Sequence, residues 1–138
     1  MPQAASSKRT YAGGCHCRAV RFEVDAAQPL AVIDCDCSIC SMTGYLHLVV
    51  PASRFRLLSG QDMLETYTFE TGVAKHHFCR RCGIKSFYVP RSNPDGFSIN
   101  VRCLDAYPDI AMQTEPFDGR HWEVTPAIRN LSLEKPEP

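Results

Sequence analysis

Charge of either sign is missing in excess: 15 basic residues face 15 acidic ones, and the formal net charge is zero. Such a balance gives no electrostatic footprint for a phosphate backbone or an anionic bilayer, so neither nucleic acid nor a membrane is expected as a partner. No stretch approaches the roughly 18 to 20 apolar residues that cross a bilayer. The opening Met1-Pro2-Gln3-Ala4-Ala5-Ser6-Ser7-Lys8-Arg9-Thr10 has no apolar signal-peptide core, and a cytoplasmic location is expected. There is no Ser/Gly linker and no internal repeat, and a chain of 138 residues is then expected to form one domain. We place it at residues 11–130, between polar tails at 1–10 and 131–138. Ten prolines and eight glycines exclude long helices.

What remains is mostly a period of two, the mark of half-buried strands. Val20, Phe22 and Val24 alternate with Arg21, Glu23 and Asp25. Leu64 to Phe69 alternates and is rich in strand formers. Ala74 to Phe78 runs straight into a cysteine. Phe97, Ile99, Val101 and Cys103 share one face of a further strand, with Ser98, Asn100 and Arg102 on the other. Ala31-Val32-Ile33 and Leu46-His47-Leu48-Val49-Val50 are short buried-strand runs. Turns are expected at Ser59-Gly60, Thr71-Gly72 and Asn93-Pro94-Asp95-Gly96. Helix is confined to a turn or two after Cys37 and a short piece near Asp105 to Met112. The fold expected is mainly β, in short antiparallel strands.

Cysteine, by contrast, is abundant and unevenly placed. Seven of the eight fall into Cys15-His16-Cys17, Cys35-Asp36-Cys37-Ser38-Ile39-Cys40 and Cys79-Arg80-Arg81-Cys82-Gly83. Gaps of one or two residues suit thiolates converging on one ion, and a reducing compartment keeps thiols free for metal. Zinc takes four soft ligands at about 2.3 Å in a closed structural site, and three plus an open position in a catalytic one. Seven thiols therefore divide most simply as four plus three, for two zinc ions. Cys79 and Cys82 form a knuckle whose following Gly83 can take positive φ, turning backbone N–H groups toward the sulfurs. Cys15 and Cys17 are its natural partners. The partition of Cys15/Cys17 with Cys35/Cys37, and Cys40 with Cys79/Cys82, also satisfies the spacing.

Cys35, Cys37 and Cys40 then form a three-thiol site. Its fourth position belongs to water or substrate in a catalytic reading. In a second structural reading it belongs to His47, His76, His77 or a carboxylate. Three thiolates weaken zinc as a Lewis acid, which suits holding a substrate thiol as thiolate better than activating water. Tyr45 and His47 are candidates for proton transfer by their nearness in sequence. Cys103 reads as a buried apolar residue rather than a ligand. His16 points away from the metal its neighbours share, and His76 and His77 occupy opposite faces of one strand. His121-Trp122 covers a pocket or fills core, and Arg80-Arg81 is solvated.

The three clusters, in that order, with Gly14 before the first, Ala19-Val20-Arg21-Phe22 after it and Phe78 before the third, resemble the glutathione-dependent formaldehyde-activating enzyme family. Within it the chain is similar to the centromere protein V-like branch. That likeness is carried by Val50-Pro51-Ala52-Ser53-Arg54-Phe55, Thr66-Tyr67-Thr68-Phe69, Ser86-Phe87-Tyr88-Val89-Pro90-Arg91-Ser92-Asn93-Pro94 and Cys103-Leu104-Asp105. The resemblance covers about residues 12 to 123. It implies an Mss4-like fold of short antiparallel sheets around zinc. It also implies structural Cys15, Cys17, Cys79 and Cys82, and catalytic Cys35, Cys37 and Cys40. The family reaction it implies joins glutathione to formaldehyde as S-hydroxymethylglutathione, a carbon–sulfur lyase reaction in reverse. No basic N-terminal extension accompanies the motifs, so a chromatin role is not expected. The alternative function is a non-catalytic zinc-binding module of Mss4-like fold that docks another protein.

Overall fold

The computed structural model of the chain describes residues 8–69, 72–90 and 93–118. Ten strands and one short helix follow in order: β1 (Lys8–Gly14), β2 (Arg21–Ala27), β3 (Leu30–Cys35), α1 (Ser38–Thr43), β4 (His47–Pro51), β5 (Phe55–Ser59), β6 (Leu64–Tyr67), β7 (His76–Cys79), β8 (Phe87–Tyr88), β9 (Gly96–Asn100) and β10 (Met112–Phe117). They build a three-stranded sheet β1-β2-β5, a five-stranded sheet β10-β3-β4-β9-β8 and a hairpin β6-β7. The pairing is antiparallel except for β10, which runs parallel to β3. None of the helices among the described residues is long and apolar enough to cross a membrane.

The two larger sheets meet across aromatic side chains. The alternation in β2 buries Phe22 and Val24 and leaves Arg21, Glu23 and Asp25 partly exposed, because successive strand residues point to opposite faces. Phe22 meets Phe55 of β5 at 5.4 Å and Phe87 of β8 at 6.1 Å, and Phe55 meets Phe97 of β9 at 4.6 Å. Phe22 is fully buried. Phe22→Ala is expected to lower unfolding free energy by about 3–5 kcal/mol, the cost of a large buried cavity; denaturant unfolding of the metal-loaded protein measures it.

The register of the five-stranded sheet assigns its two faces. His47 pairs with Asn100, Val49 with Ser98, and Ser98 with Tyr88. These residues therefore share one face, while Leu48, Val50, Phe87, Phe97 and Ile99 share the other. The second set is the core face. The first is lined by polar groups that are nonetheless buried, among them His47, Ser98, Asn100 and Tyr88. A sheet face both polar and closed from water needs internal partners, and it is the one that carries the site below.

Three expectations are corrected. The strand through Phe97 ends at Asn100, where the backbone tightens into a 3-10 turn over Val101–Cys103 capped by the Asn100 side chain. Cys103 thus leaves the strand face assigned to it and is half-buried. No helix forms near Asp105 to Met112; hydrogen-bonded turns lead instead into β10. Lys8, Arg9 and Thr10 belong to β1, paired with Ala27, Ala26 and Asp25, rather than to a tail. The helix after Cys37 forms as expected. The readings of Thr71, His121, Trp122 and the 131–138 tail lie outside the described residues.

Candidate metal centres and their surroundings

Cys15, Cys17, Cys79 and Cys82 bring four sulfurs within 4.8 Å of one another. Cys15 and Cys17 sit in the turn leaving β1; Cys79 ends β7 and Cys82 follows it. Gly14 is required there by close approach, since a Cβ would stand 2.0 Å from the Val20 carbonyl oxygen. The Cys15 and Cys17 sulfurs are 3.6 Å apart, and those of Cys17 and Cys79 3.7 Å. Tetrahedral ligands at about 2.3 Å from a common ion stand roughly 3.8 Å from each other, so the spacing fits such an ion. Backbone N–H groups approach the sulfurs: that of Val20 donates to Cys15 at 3.3 Å, and that of Arg81 to Cys79 at 3.3 Å. Burial pushes the Cys82 thiol up, yet backbone donors at Cys17 and Ile84, with Cys15 and Cys79, bring it down to about 6. Gly83 has φ +79°, the left-handed value that the knuckle calls for.

The second cluster is assembled locally. β3 ends at Cys35, Cys37 is the extended residue before α1, and Cys40 lies in the helix. Gly44 closes the helix in the left-handed conformation, and the chain turns back as β4, which begins at His47. The sulfurs of Cys35, Cys37 and Cys40 lie within 4.8 Å of one another. Among the described residues no fourth donor completes this set, neither His47, His76, His77 nor a carboxylate. Hydrogen bonds from Cys35 and Cys40 draw the Cys37 thiol down, while those two thiols are pushed up in turn. Three sulfurs so close share their protons, and all three ionise together only beside a cation. Both clusters can therefore hold metal ions, and their thiol chemistry is compatible with zinc. Cys103 belongs to neither.

A layer of buried side chains backs the second cluster. His47 Nε2 lies 3.1 Å from the Cys40 sulfur. Its Nδ1 lies 3.0 Å from Ser98 Oγ and 3.3 Å from the Tyr88 hydroxyl. Burial holds His47 neutral, with a pKa near 3 helped down by Lys85. With either hydroxyl donating to Nδ1, Nε2 carries the proton and donates to Cys40, the usual way a neighbouring group orients a ligand. Tyr45 is also buried, but its hydroxyl donates to the Ser98 carbonyl at 2.6 Å. Its proton is committed to that bond, so the geometry favours His47 over Tyr45 as the polar group at the cluster.

His76 and His77 do take opposite sides. His77 Nδ1 meets Thr66 Oγ1 at 2.8 Å, and its ring contacts Phe87. His76 turns the other way, stacks on Tyr88 at 4.9 Å and accepts from Lys85 Nζ at 2.7 Å. Sequence pattern marks Ser98 only as a polar strand position and Tyr88 only as part of a motif, and it gives Lys85 little signal. The one available was a lone lysine entering the apolar run Ser86-Phe87-Tyr88-Val89.

The chain also matches known proteins over most of its length. The family model described as glutathione-dependent formaldehyde-activating enzyme matches residues 10–120. A Halomonas elongata protein, provisionally named as a glutathione-dependent formaldehyde-activating enzyme, is 35% identical over 78 residues, covering 51% of this chain and 50% of the relative. The chain thus matches about half the length of that curated relative. A crystal structure of a Rhodobacter sphaeroides protein is 36% identical, with a TM-score of 0.69, and the match covers 77% of this chain and 99% of that one.

Proposed function

The chain belongs to the glutathione-dependent formaldehyde-activating enzyme family, and from that premise we propose that it is a zinc-dependent enzyme joining a thiol to an aldehyde. The thiol is glutathione, the aldehyde formaldehyde, and in reverse the protein splits their S-hydroxymethyl adduct as a carbon–sulfur lyase. The observation that carries this reading is the Cys35, Cys37 and Cys40 cluster: three sulfurs, no fourth donor among the described residues, and a buried polar layer behind them. Cys15, Cys17, Cys79 and Cys82 would hold the second, structural ion.

Held by these three thiols, a zinc ion would supply the charge that keeps a substrate thiol ionised at neutral pH. The thiol proton leaves to solvent. The sulfur forms the new bond to the carbonyl carbon, the π electrons move to oxygen, and the alkoxide takes up a proton. Cys35 and Cys37 would hold the ion from the strand end and the extended turn. Cys40 would hold it from the helix, its sulfur oriented by His47. Placement in the centromere protein V-like branch is part of the same proposal and rests on the motifs at Val50–Phe55 and Ser86–Pro94.

Exchange NMR of glutathione, formaldehyde and their adduct tests the reading. We expect the metal-loaded protein to accelerate interconversion above the spontaneous rate, which must be subtracted. No acceleration with any aldehyde tested would leave the chain as a zinc-binding module that docks another protein.

A further inference from the structure

Lys85 follows the knuckle by three residues, yet it is only 8% exposed. Taking an ammonium out of water costs several kcal/mol unless opposite charge or strong acceptors replace the solvent. Among the described residues no carboxylate is within ion-pair distance of it. Its Nζ donates to His76 Nδ1 at 2.7 Å and lies 3.9 Å from the ring centre of Tyr88 and 5.0 Å from that of Tyr45. Both rings abut His47, at 5.7 Å and 4.5 Å, and His47 contacts the Cys40 sulfur. A buried cation is thus linked, through the Tyr88 and Tyr45 rings and then the His47 ring, to the Cys40 sulfur of the three-thiol cluster. Burial pulls Lys85 down to about 8, while Cys40, Cys37 and Cys35 act to raise it, so it stays protonated at neutral pH. The negative groups that act on it are the three thiols of that cluster.

We propose that Lys85 is the internal counter-cation of the Cys35, Cys37 and Cys40 centre, and that its charge makes the fourth position select an anionic sulfur ligand over water. This rests on the reading that the centre holds a divalent ion and takes a substrate thiol. Three thiolates leave a divalent ion with one net negative charge, and a fourth thiolate leaves two. Water adds none. A fixed positive charge nearby therefore favours the thiolate selectively, most strongly where solvent is excluded. The neighbouring His76 accepts from Lys85 and aims the ammonium without competing for its charge, since burial and Lys85 hold that imidazole neutral, at about 4.

The test uses the full chain loaded with cobalt(II), whose sulfur-to-metal absorption reports thiolate binding directly. The probe is 2-mercaptoethanol, which has no carboxylate and engages the protein through sulfur. We expect the wild type to bind it and Lys85→Gln to bind about tenfold more weakly, the scale of one partly buried charge pair. Lys85→Arg should stay within about threefold of the wild type, with metal content equal in all three. Lys85→Met replaces Lys85→Gln if the glutamine variant does not fold. Unchanged affinity in the neutral variant overturns the proposal, as does an equal loss in Lys85→Arg, which would mark a packing role. A wild type that binds metal but no thiol overturns the thiol–aldehyde reading as well.

Discussion

Cys82→Ser is expected to unfold the domain and to leave fewer metal ions than the wild type, which should carry one in each of its two clusters. Cys17 and Cys79 are 62 positions apart, so an ion held between them would crosslink the β1–β2 turn to the end of β7. By chain entropy, a crosslink over such a span contributes about 4 kcal/mol. Coordination adds to this, since structural zinc binds zinc-finger peptides with about 10–16 kcal/mol. A small domain is stable by only about 5–15 kcal/mol, so losing most of that contribution removes the folded state. The remaining sulfurs make matters worse: Cys79 is fully buried and Cys15 nearly so, and both lose the cation that justified their burial. Metal analysis and circular dichroism read the outcome. A Cys82→Ser protein that keeps its wild-type melting curve would show that this cluster is not the staple of the fold.

Cys37→Ser is expected to do the opposite: lose one metal ion, stay folded, and lower adduct interconversion by at least about 100-fold. Its cluster closes no long loop, because its three ligands lie within six residues, for which the same entropy estimate gives about 2 kcal/mol. Cys37 is half-buried and lies outside the hydrophobic core cluster. The β3–β4 and β4–β9 pairings that hold the surrounding sheet do not pass through it. Changing the partner of a metal ligand already costs about 10–100-fold, and removing a ligand should cost more. The same exchange NMR, with zinc content and a melting curve on the same sample, tests both halves. If Cys37→Ser unfolds as Cys82→Ser does, the middle cluster is a second structural site and the protein-docking reading gains.

The contrast between the two variants follows from how each cluster is made. Short cysteine spacings are local, and the turn geometry that gathers Cys35, Cys37 and Cys40 is written within six residues. The same holds for Gly83 at positive φ and for the alternation in β2, since both depend on near neighbours. The strands at Leu64, Ala74 and Phe97 follow that alternation, with ends that differ by a few residues. The turn after Asn100 is one such case: Asn100 accepts from the Arg102 N–H and halts a strand whose apolar period continues past it.

Local pattern settled the mainly β architecture and three clusters of thiols, because period, turn chemistry and ligand spacing act over a few residues. Long-range register settled the rest. It chose Cys79 and Cys82, rather than Cys35 and Cys37, as partners of Cys15 and Cys17. It also carried Ser98 and Tyr88 to His47, 51 and 41 positions away in the chain, and set Lys85 beyond them. A polar residue on a strand faces water or a buried site by the same alternation. Which of the two it meets depends on what the second face of the sheet is packed against, and that is a property of the assembled sheet alone.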